Sequence, residues 1–420
     1  MKKNILLVGS LCGIVLVMYI GSYLKTRKVV QKEDIETVLA QTDTSESISF
    51  SEKVLEIFSP KEEEIVEVLR EETPVRGIYV SAPAMHSPKV RARIQEIVET
   101  TRINALVIDV KDSSGYVFLP NSISAHSFAN TPYSTPALEF IKSLKEKDVY
   151  LIARIVVFQD PLTAKHFPEY ALKNKDGSIW RDRKGMAFLD PQNKKVWEYA
   201  KQLSLDTYNF GFDEINYDYI RYPSDGMISQ ISYHIPESMT KSDMVEKFFA
   251  YIHEEMRIKN GVYISADIFG DTVRLKGDPG VGQTLEKTFP YFDAVAPMVY
   301  PSHFSPGSYG MKNPDASPKE IMEGIAFDMN RKLNAWCPVV SSVIDGMSEK
   351  EIKKALEQYE REKQKICSPW KNRPWIQDFS LHAEYGVKEV KDQIDALEKA
   401  GITSWLVWNP SSRYTTEAFK

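Results

Sequence analysis

Eight short runs of β-branched and aromatic residues, separated by stretches of helical periodicity, constrain the fold of this chain more than any other feature. They are Arg76–Ser81, Ala105–Lys111, Val149–Phe158, Asp213–Tyr219, Val262–Ile268, Asp293–Val299, Arg373–Phe379 and Ser404–Trp408. Strand–helix alternation builds a parallel sheet, because a parallel neighbour is reached only through a crossover connection. Eight such units after Pro74 predict a (β/α)8 barrel with loop insertions; a doubly wound open sheet is the alternative. Helix starts are expected at Asp190-Pro191, at Ser317-Pro318 with Glu320, and at Ser348 with Glu351, where short polar side chains can accept from the orphan N–H groups of a first turn. The chain between the sixth and seventh runs is too long for one helix. It holds an extra strand-like run, Val339–Ile344, and reads as an insertion, either a lid or a small subdomain.

The N-terminal part has a different character. Lys2 and Lys3 precede a run from Ile5 to Leu24 without a charged residue, about the length that crosses the hydrocarbon of a bilayer. Residues 1–27 therefore read as a transmembrane anchor, with a cleaved signal segment as the alternative, since Met18 to Tyr23 offers only a poor small-x-small site. Lys25, Arg27 and Lys28 compete with Lys2 and Lys3 under the positive-inside rule, so charge does not decide the orientation. Residues 28–73, rich in Glu, Ser, Thr and Lys, read as a flexible charged stalk, and 74–420 as the barrel. An anchor followed by a polar stalk suits a domain held outside the cytoplasm at the cell membrane. Cys337 and Cys367 form a disulfide or stay as two thiols; spacing alone does not distinguish these.

A net charge of −5, with no uncompensated cationic cluster beyond the N-terminal flank, argues against a nucleic-acid partner. Gly277 to Thr284 resembles a phosphate loop but has Gln283 where the lysine belongs. His253-Glu254-Glu255-Met256-Arg257 begins like a zinc-protease helix and fails at Arg257. Neither a Gly-x-Ser-x-Gly elbow nor a dinucleotide fingerprint is present. No metal and no cofactor are expected.

In a (β/α)8 barrel the chemistry sits at the C-terminal ends of the strands, so polar residues there carry the most weight. In Phe212 to Pro223, the residues Glu214, Asn216 and Asp218 share one face by the two-residue period. Outward faces pack under helices and must be apolar, so this face points inward, with Asp218 nearest the mouth. The fifth run is apolar until Asp267, which falls beside Asp218. Two carboxylates at a barrel mouth are what glycoside hydrolysis needs, one ionised and one protonated. Asp109, Lys111, Arg154 and Asp378 are candidates to hold sugar hydroxyls, and Arg154 also to hold a carboxylate ionised. Further candidate substrate contacts are Glu214, Asn216, Arg221, Tyr300, His303, Trp408 and Asn409. Aromatic residues gather at the same predicted rim, namely Tyr116, Phe158, Tyr219, Tyr222, Tyr300, Phe304, Phe379, Trp408 and Tyr414, and flat rings suit the apolar faces of sugars.

The strand-end segments, taken in order, carry a resemblance: Arg76-Gly77-Ile78-Tyr79-Val80, Val107 to Asp112, Ala153 to Asp160, Phe212 to Pro223, Ala266 to Gly270, Pro297 to His303, Pro374 to Phe379 and Trp408-Asn409-Pro410. Together they resemble a bacterial family of glycoside hydrolase-like proteins with an uncharacterised barrel domain, over roughly Pro74 to Tyr414. The resemblance implies a (β/α)8 fold distantly similar to the alpha-amylase and alpha-galactosidase groups, whose nucleophile is an Asp at the end of the fourth strand, the place of Asp218. The amylase group carries its acid as a Glu at the end of the fifth strand, where this chain has Asp267. The alpha-galactosidase group draws its acid from the sixth strand, where Pro297 to His303 has no carboxylate. The expectation is a glycosidase, retaining by analogy, that acts on an extracellular or cell-envelope polysaccharide, with Asp218 as nucleophile and Asp267 as acid. The rival is a non-catalytic glycan-binding or envelope-scaffold barrel, in which Asp267 would point away from Asp218.

Overall fold

The computed structural model describes residues 73–120, 122–336 and 371–420. Eight parallel strands close on themselves in sequence order. They are β1 (Arg76–Val80), β2 (Ala105–Lys111), β3 (Tyr150–Val156), β4 (Glu214–Asp218), β5 (Tyr263–Phe269), β6 (Ala294–Met298), β7 (Trp375–Gln377) and β8 (Trp405–Trp408). Closure pairs Arg76 with Trp405 and Ile78 with Val407. The barrel replaces the open-sheet alternative, and each strand lies within its predicted run or within one residue of it.

Among the described residues six long helices cover the outside: α1 (Pro88–Thr100), α2 (Thr135–Lys145), α3 (Lys194–Phe210), α4 (Lys241–Ile252), α5 (Pro318–Trp336) and α6 (Val387–Lys399). Their apolar stripes pack on the outward residues of the strands, among them Ile78, Ile108, Ile155, Ile215, Ile264 and Ile376, all buried. Helix α5 starts at the predicted Pro318. Helix α3 starts later than Asp190-Pro191 suggested, because Asn193 caps it, its side chain accepting from Lys195 N at 3.0 Å. Asp190 instead closes a turn through Gln192 N, and the Pro191 carbonyl accepts from Trp197 Nε1 at 2.7 Å. Helix α3 ends at Gly211, whose φ of 116° supplies the left-handed residue that closes a helix without a Cβ penalty. No long helix separates β5 from β6, where two short ones, Asp271–Arg274 and Leu285–Thr288, stand in.

The β2–β3 ladder contains one irregularity that matters for the site. Asp109 pairs with Arg154 and Lys111 with Ile155, so β2 carries an extra residue between them. A bulge shifts the side-chain phase beyond it. Past β6 the chain makes three single 3-10 turns before α5. The remainder of the predicted insertion, with Val339–Ile344, Ser348, Cys337 and Cys367, lies outside the described residues, as do 1–27 and most of the stalk. No helix among the described residues is long and apolar enough to cross a membrane.

Candidate active site

The interior of the barrel is built in floors, because alternate residues of each strand point inward. Its apolar wall is Tyr79, Ala105, Val107, Tyr150, Ile152, Ala296, Tyr300, Trp375 and Leu406. The lower floor holds one ion pair. Arg373 donates to both oxygens of Glu214, Nη1 at 3.0 Å to Oε2, while Tyr150 adds its hydroxyl at 2.8 Å and Ser265 its own. Both partners are fully enclosed.

The upper floor is organised by Arg154. Its Nε and Nη2 donate to Asp218 Oδ2 at 3.0 and 2.5 Å, and its Nη1 donates to Asp109 Oδ1 at 2.6 Å. Its Nε also stands 4.0 Å from Asp267 Oδ2. The two oxygens that flank Nε, Asp218 Oδ2 at 3.0 Å and Asp267 Oδ2 at 4.0 Å, are thus no more than 7.0 Å apart. Asp109 is fixed from its other side by the Tyr79 hydroxyl at 2.5 Å, and its carbonyl takes the Tyr133 hydroxyl at 2.6 Å. Tyr79 stacks on Trp408 with ring centroids 4.0 Å apart, and the Arg154 guanidinium lies over both rings at 5.6 and 5.4 Å. All four charged groups are at most 4% exposed.

Asp267 Oδ1 accepts from Trp375 Nε1 at 2.7 Å and from Asn216 Nδ2 at 2.9 Å. Three carboxylates around one guanidinium leave the floor with more negative charge than it can balance. Burial first, and then the charge of Asp218, push the Asp267 carboxyl up to about 8, against the opposing pull of Trp375, Arg154 and Asn216. The direction of that shift favours the protonated form of Asp267, and Oδ2 is the oxygen left open to a proton, since Oδ1 already accepts two N–H donors. Burial also raises Asp109, opposed by Arg154 and by Tyr79. Tyr300 faces the pair from β6: its hydroxyl is held well above the usual range by burial and then by the charges of Asp267 and Asp218.

At the tip of β4 the residue after Asp218 is Tyr219, with a φ of 50°. The left-handed region is costly for a bulky residue and persists where surroundings hold it. Here the Tyr219 N–H donates to Asp218 Oδ1 at 2.6 Å, so the turn that ends the strand also fixes the carboxylate. Trp408, Tyr219, Phe269 and Phe379 line the opening half-buried.

Several predicted site residues sit elsewhere, each for a physical reason. Lys111 lies beyond the β2 bulge, so it faces outward and pairs with the buried Asp160 at 2.9 Å while donating to the Val156 carbonyl. Glu214 belongs to the lower floor, held by Arg373. Asp378 spends both oxygens on Thr415, on its N–H and hydroxyl at 2.7 Å each, and so fastens the C-terminal segment to the end of β7. Asn409 is engaged with the Asp378 carbonyl and with Ser411 N. Asn216 does reach the upper floor, as a donor to Asp267. Tyr300 and His303 meet Phe379 at the rim, with ring centroids 5.2 Å apart for the first pair and 5.9 Å for Tyr300 and Phe379. Arg221 lies over Tyr219 and Phe269 at 4.7 and 5.6 Å. Of the predicted rim aromatics, Phe158, Tyr222 and Tyr414 are core, and Tyr116 is exposed.

Two site residues escaped the sequence reading, Tyr79 and Trp375. Each is the inward member of its strand at the level of the carboxylates. The two-residue period places Trp375 on the face opposite Ile376, but the eye goes first to the charged Asp378.

Comparison with known proteins agrees with this architecture. The profile of a family described as "Putative glycosyl hydrolase domain" matches residues 77–363 and 342–414. No curated protein matches the chain in sequence. Among solved structures, the PgaB (BpsB) glycoside hydrolase domain of Bordetella bronchiseptica superimposes with a TM-score of 0.54 at 11% identity, over 81% of this chain and 95% of that one. A hypothetical protein of Ruminiclostridium thermocellum is 30% identical over 45% of this chain and 96% of its own, with a TM-score of 0.41. The alpha-galactosidase TtGalA of Thermus thermophilus gives 12% identity and a TM-score of 0.42, over 69% of this chain and 60% of that one. At such low identities the PgaB domain attests the barrel fold alone.

Proposed function

Since the chain belongs to this glycosyl hydrolase domain family, matched over most of the barrel, we propose that Asp218 and Asp267 hydrolyse a glycosidic bond of a polysaccharide by a retaining double displacement. The observation that carries the reading is the asymmetry of the pair. Asp218 receives two N–H groups of Arg154 and one from its own backbone neighbour, bonds that a carboxylate anion makes better than a neutral acid. Asp267 is enclosed without an ion-pair partner closer than 4.0 Å and keeps its proton.

In the first step a lone pair of the Asp218 carboxylate forms a bond to the anomeric carbon. The bond from that carbon to the glycosidic oxygen breaks, and that oxygen takes the proton of Asp267. In the second, the ionised Asp267 removes a proton from water, the hydroxide oxygen bonds to the same carbon, and Asp218 leaves as a carboxylate. The 7.0 Å upper bound between the two oxygens accommodates the roughly 5–5.5 Å spacing of retaining enzymes and leaves only the narrow end of the roughly 6.5–9.5 Å inverting range. Trp408, backed by Tyr79, on one side and Tyr219 with Phe269 on the other offer half-buried rings for sugars to stack on. Asp109 and Tyr79 hold Arg154 in place. The pointing of Asp267 toward Asp218 favours hydrolysis over a barrel that only binds glycans.

The uncharged run Ile5 to Leu24 supports a place at the membrane, and the polar stalk after it supports a barrel outside the cytoplasm, where an envelope polymer would meet it; protease treatment of intact cells that leaves the barrel whole would sink that placement. The enzymatic claim is tested by release of reducing ends from a glycan panel by the full chain. Asp218→Asn is expected to lower turnover by about 10³-fold or more with an unchanged melting temperature. Full turnover in that variant contradicts the assignment.

A further inference from the structure

Arg221 is 7% exposed and has no carboxylate within ion-pair distance among the described residues. Its Nη1 is anchored, donating to the Tyr222 carbonyl at 3.1 Å and the Ser224 hydroxyl at 3.3 Å. Among the described residues its enclosed Nε has no hydrogen-bond partner, and no bond is found from Nη2, on the same edge of the guanidinium. That edge is the one that grips a carboxylate or phosphate with two parallel N–H bonds. Every other enclosed cation on the barrel strands or in their flanking residues has its counter-charge: Arg154 has Asp109 and Asp218, Arg373 has Glu214, and Lys111 has Asp160. A cation taken out of water without an opposite charge is costly to keep unless a ligand supplies that charge.

Its position is at the mouth. The guanidinium lies against Tyr219 and Phe269, the half-buried rings that end β4 and β5, the strands that bring Asp218 and Asp267. A second basic element adjoins it. The excursion after β3 folds into two successive antiparallel turns, one bridging Lys173 to Ile179 and the next Arg181 to Ala187, and Phe188 sets the second 6.2 Å from the Tyr219 ring. Together the two turns carry Lys173, Lys175, Arg181, Arg183 and Lys184 against Asp176 and Asp182. Asp182 is the acid whose charge reaches Tyr219, and its Oδ1 is taken by the N–H groups of Lys184 and Met186. The excursion thus carries five cations against two acids on turns that Phe188 joins to the Tyr219 ring.

Building on the hydrolase reading, we infer that the substrate is an acidic glycan, whose anionic substituent, carboxylate or phosphate, seats on the Nε–Nη2 edge of Arg221 next to the bond that is cut, with the chain continuing toward the basic turns of the excursion after β3. Arg221 is then a specificity residue, acting on binding and on KM.

The test is affinity electrophoresis of the full chain through gels containing polygalacturonate, its carboxyl-reduced neutral counterpart, or a phosphomannan, beside reducing-end release from each. The native protein is expected to be retarded by an acidic gel with a Kd at least about tenfold tighter than in the neutral one. Arg221→Gln should lose that margin, and Arg221→Lys should keep part of it, both with native melting curves. Asp218→Asn should be retarded like the native chain. Which of the two acidic polymers retards more identifies carboxylate or phosphate as the group held. Equal mobility in all three gels, or retardation of Arg221→Gln equal to that of the native chain, overturns the inference. Acid-selective retardation without hydrolysis would sink the hydrolase reading and leave this one standing. Hydrolysis of the neutral polymer that Asp218→Asn abolishes and Arg221→Gln leaves untouched does the reverse.

Discussion

The two floors of the barrel use the same ingredients to opposite ends. Below, Arg373 meets one carboxylate, Glu214, and the hydroxyls of Tyr150 and Ser265 complete its bonding. Charge is balanced there. Above, Arg154 meets Asp109 and Asp218 directly and has Asp267 at 4.0 Å, so one guanidinium faces three acids. A balanced pair is a brace; an unbalanced set must hold a proton, and a carboxyl that holds a proton at neutral pH can give it away. On the proposed reading, what separates brace from acid in this barrel is the ratio of carboxylates to arginines, since the charged groups of both floors are almost equally buried.

Substitutions can break this contrast at either floor. On the upper floor, Asp267→Asn is expected to slow turnover by about 10²–10⁴-fold, the usual contribution of a general acid, with little change of stability at pH 6. Steady-state rates and melts on one preparation check both halves, and a melting temperature that collapses at pH 6 would make Asp267 a brace after all. On the lower floor, Glu214→Ala should cost about 3–5 kcal/mol of folding stability, because Arg373 is left buried without its charge. Denaturant titration measures that loss, and a drop below about 1 kcal/mol would mean that the lower pair is not what holds the barrel shut.

The pH dependence sharpens the same comparison. The raised Asp267 group favours the protonated form in the folded state, so the native chain binds more protons than the unfolded one between the ordinary carboxylate range and about 8. Its contribution to stability is therefore greatest at low pH and falls as pH rises through that interval. Asp267→Asn should flatten that slope and gain relative stability by pH 9. The alkaline limb of kcat/KM in the native enzyme is expected near 8 for the same reason, and a rate that stays level to pH 10 would contradict a proton held by Asp267. The smallest effect belongs to Tyr79→Phe, which removes one hydrogen bond to Asp109 and keeps the stack on Trp408. A loss of about tenfold or less in kcat/KM is expected, and a larger loss would give Tyr79 a part in the reaction itself.

The strands and the inward row Glu214, Asn216 and Asp218 were legible because a two-residue period is a local property of the chain. The neighbouring ends of β4 and β5 likewise followed from strand order, which put Asp218 beside Asp267. What the sequence hid was decided by events outside any one strand. The bulge after Asp109 turned Lys111 out of the barrel, and Thr415, 37 positions away, claimed Asp378. The floor on which Glu214 sits depends on Arg373, 159 positions further along the chain. Tyr79 and Trp375 carry no charge to single them out within their strands; both line the barrel wall, while their polar tips serve Asp109 and Asp267.

The protonation of Asp267 is the point on which the two floors differ most, and infrared difference spectroscopy reads it without any substrate. The native chain should show, at pH 6, the carbonyl band of a buried protonated carboxyl that fades with a midpoint near 8 and is missing from Asp267→Asn. A native spectrum without that band at pH 6, or one unchanged by the substitution, would show Asp267 ionised and remove the acid from the proposed mechanism.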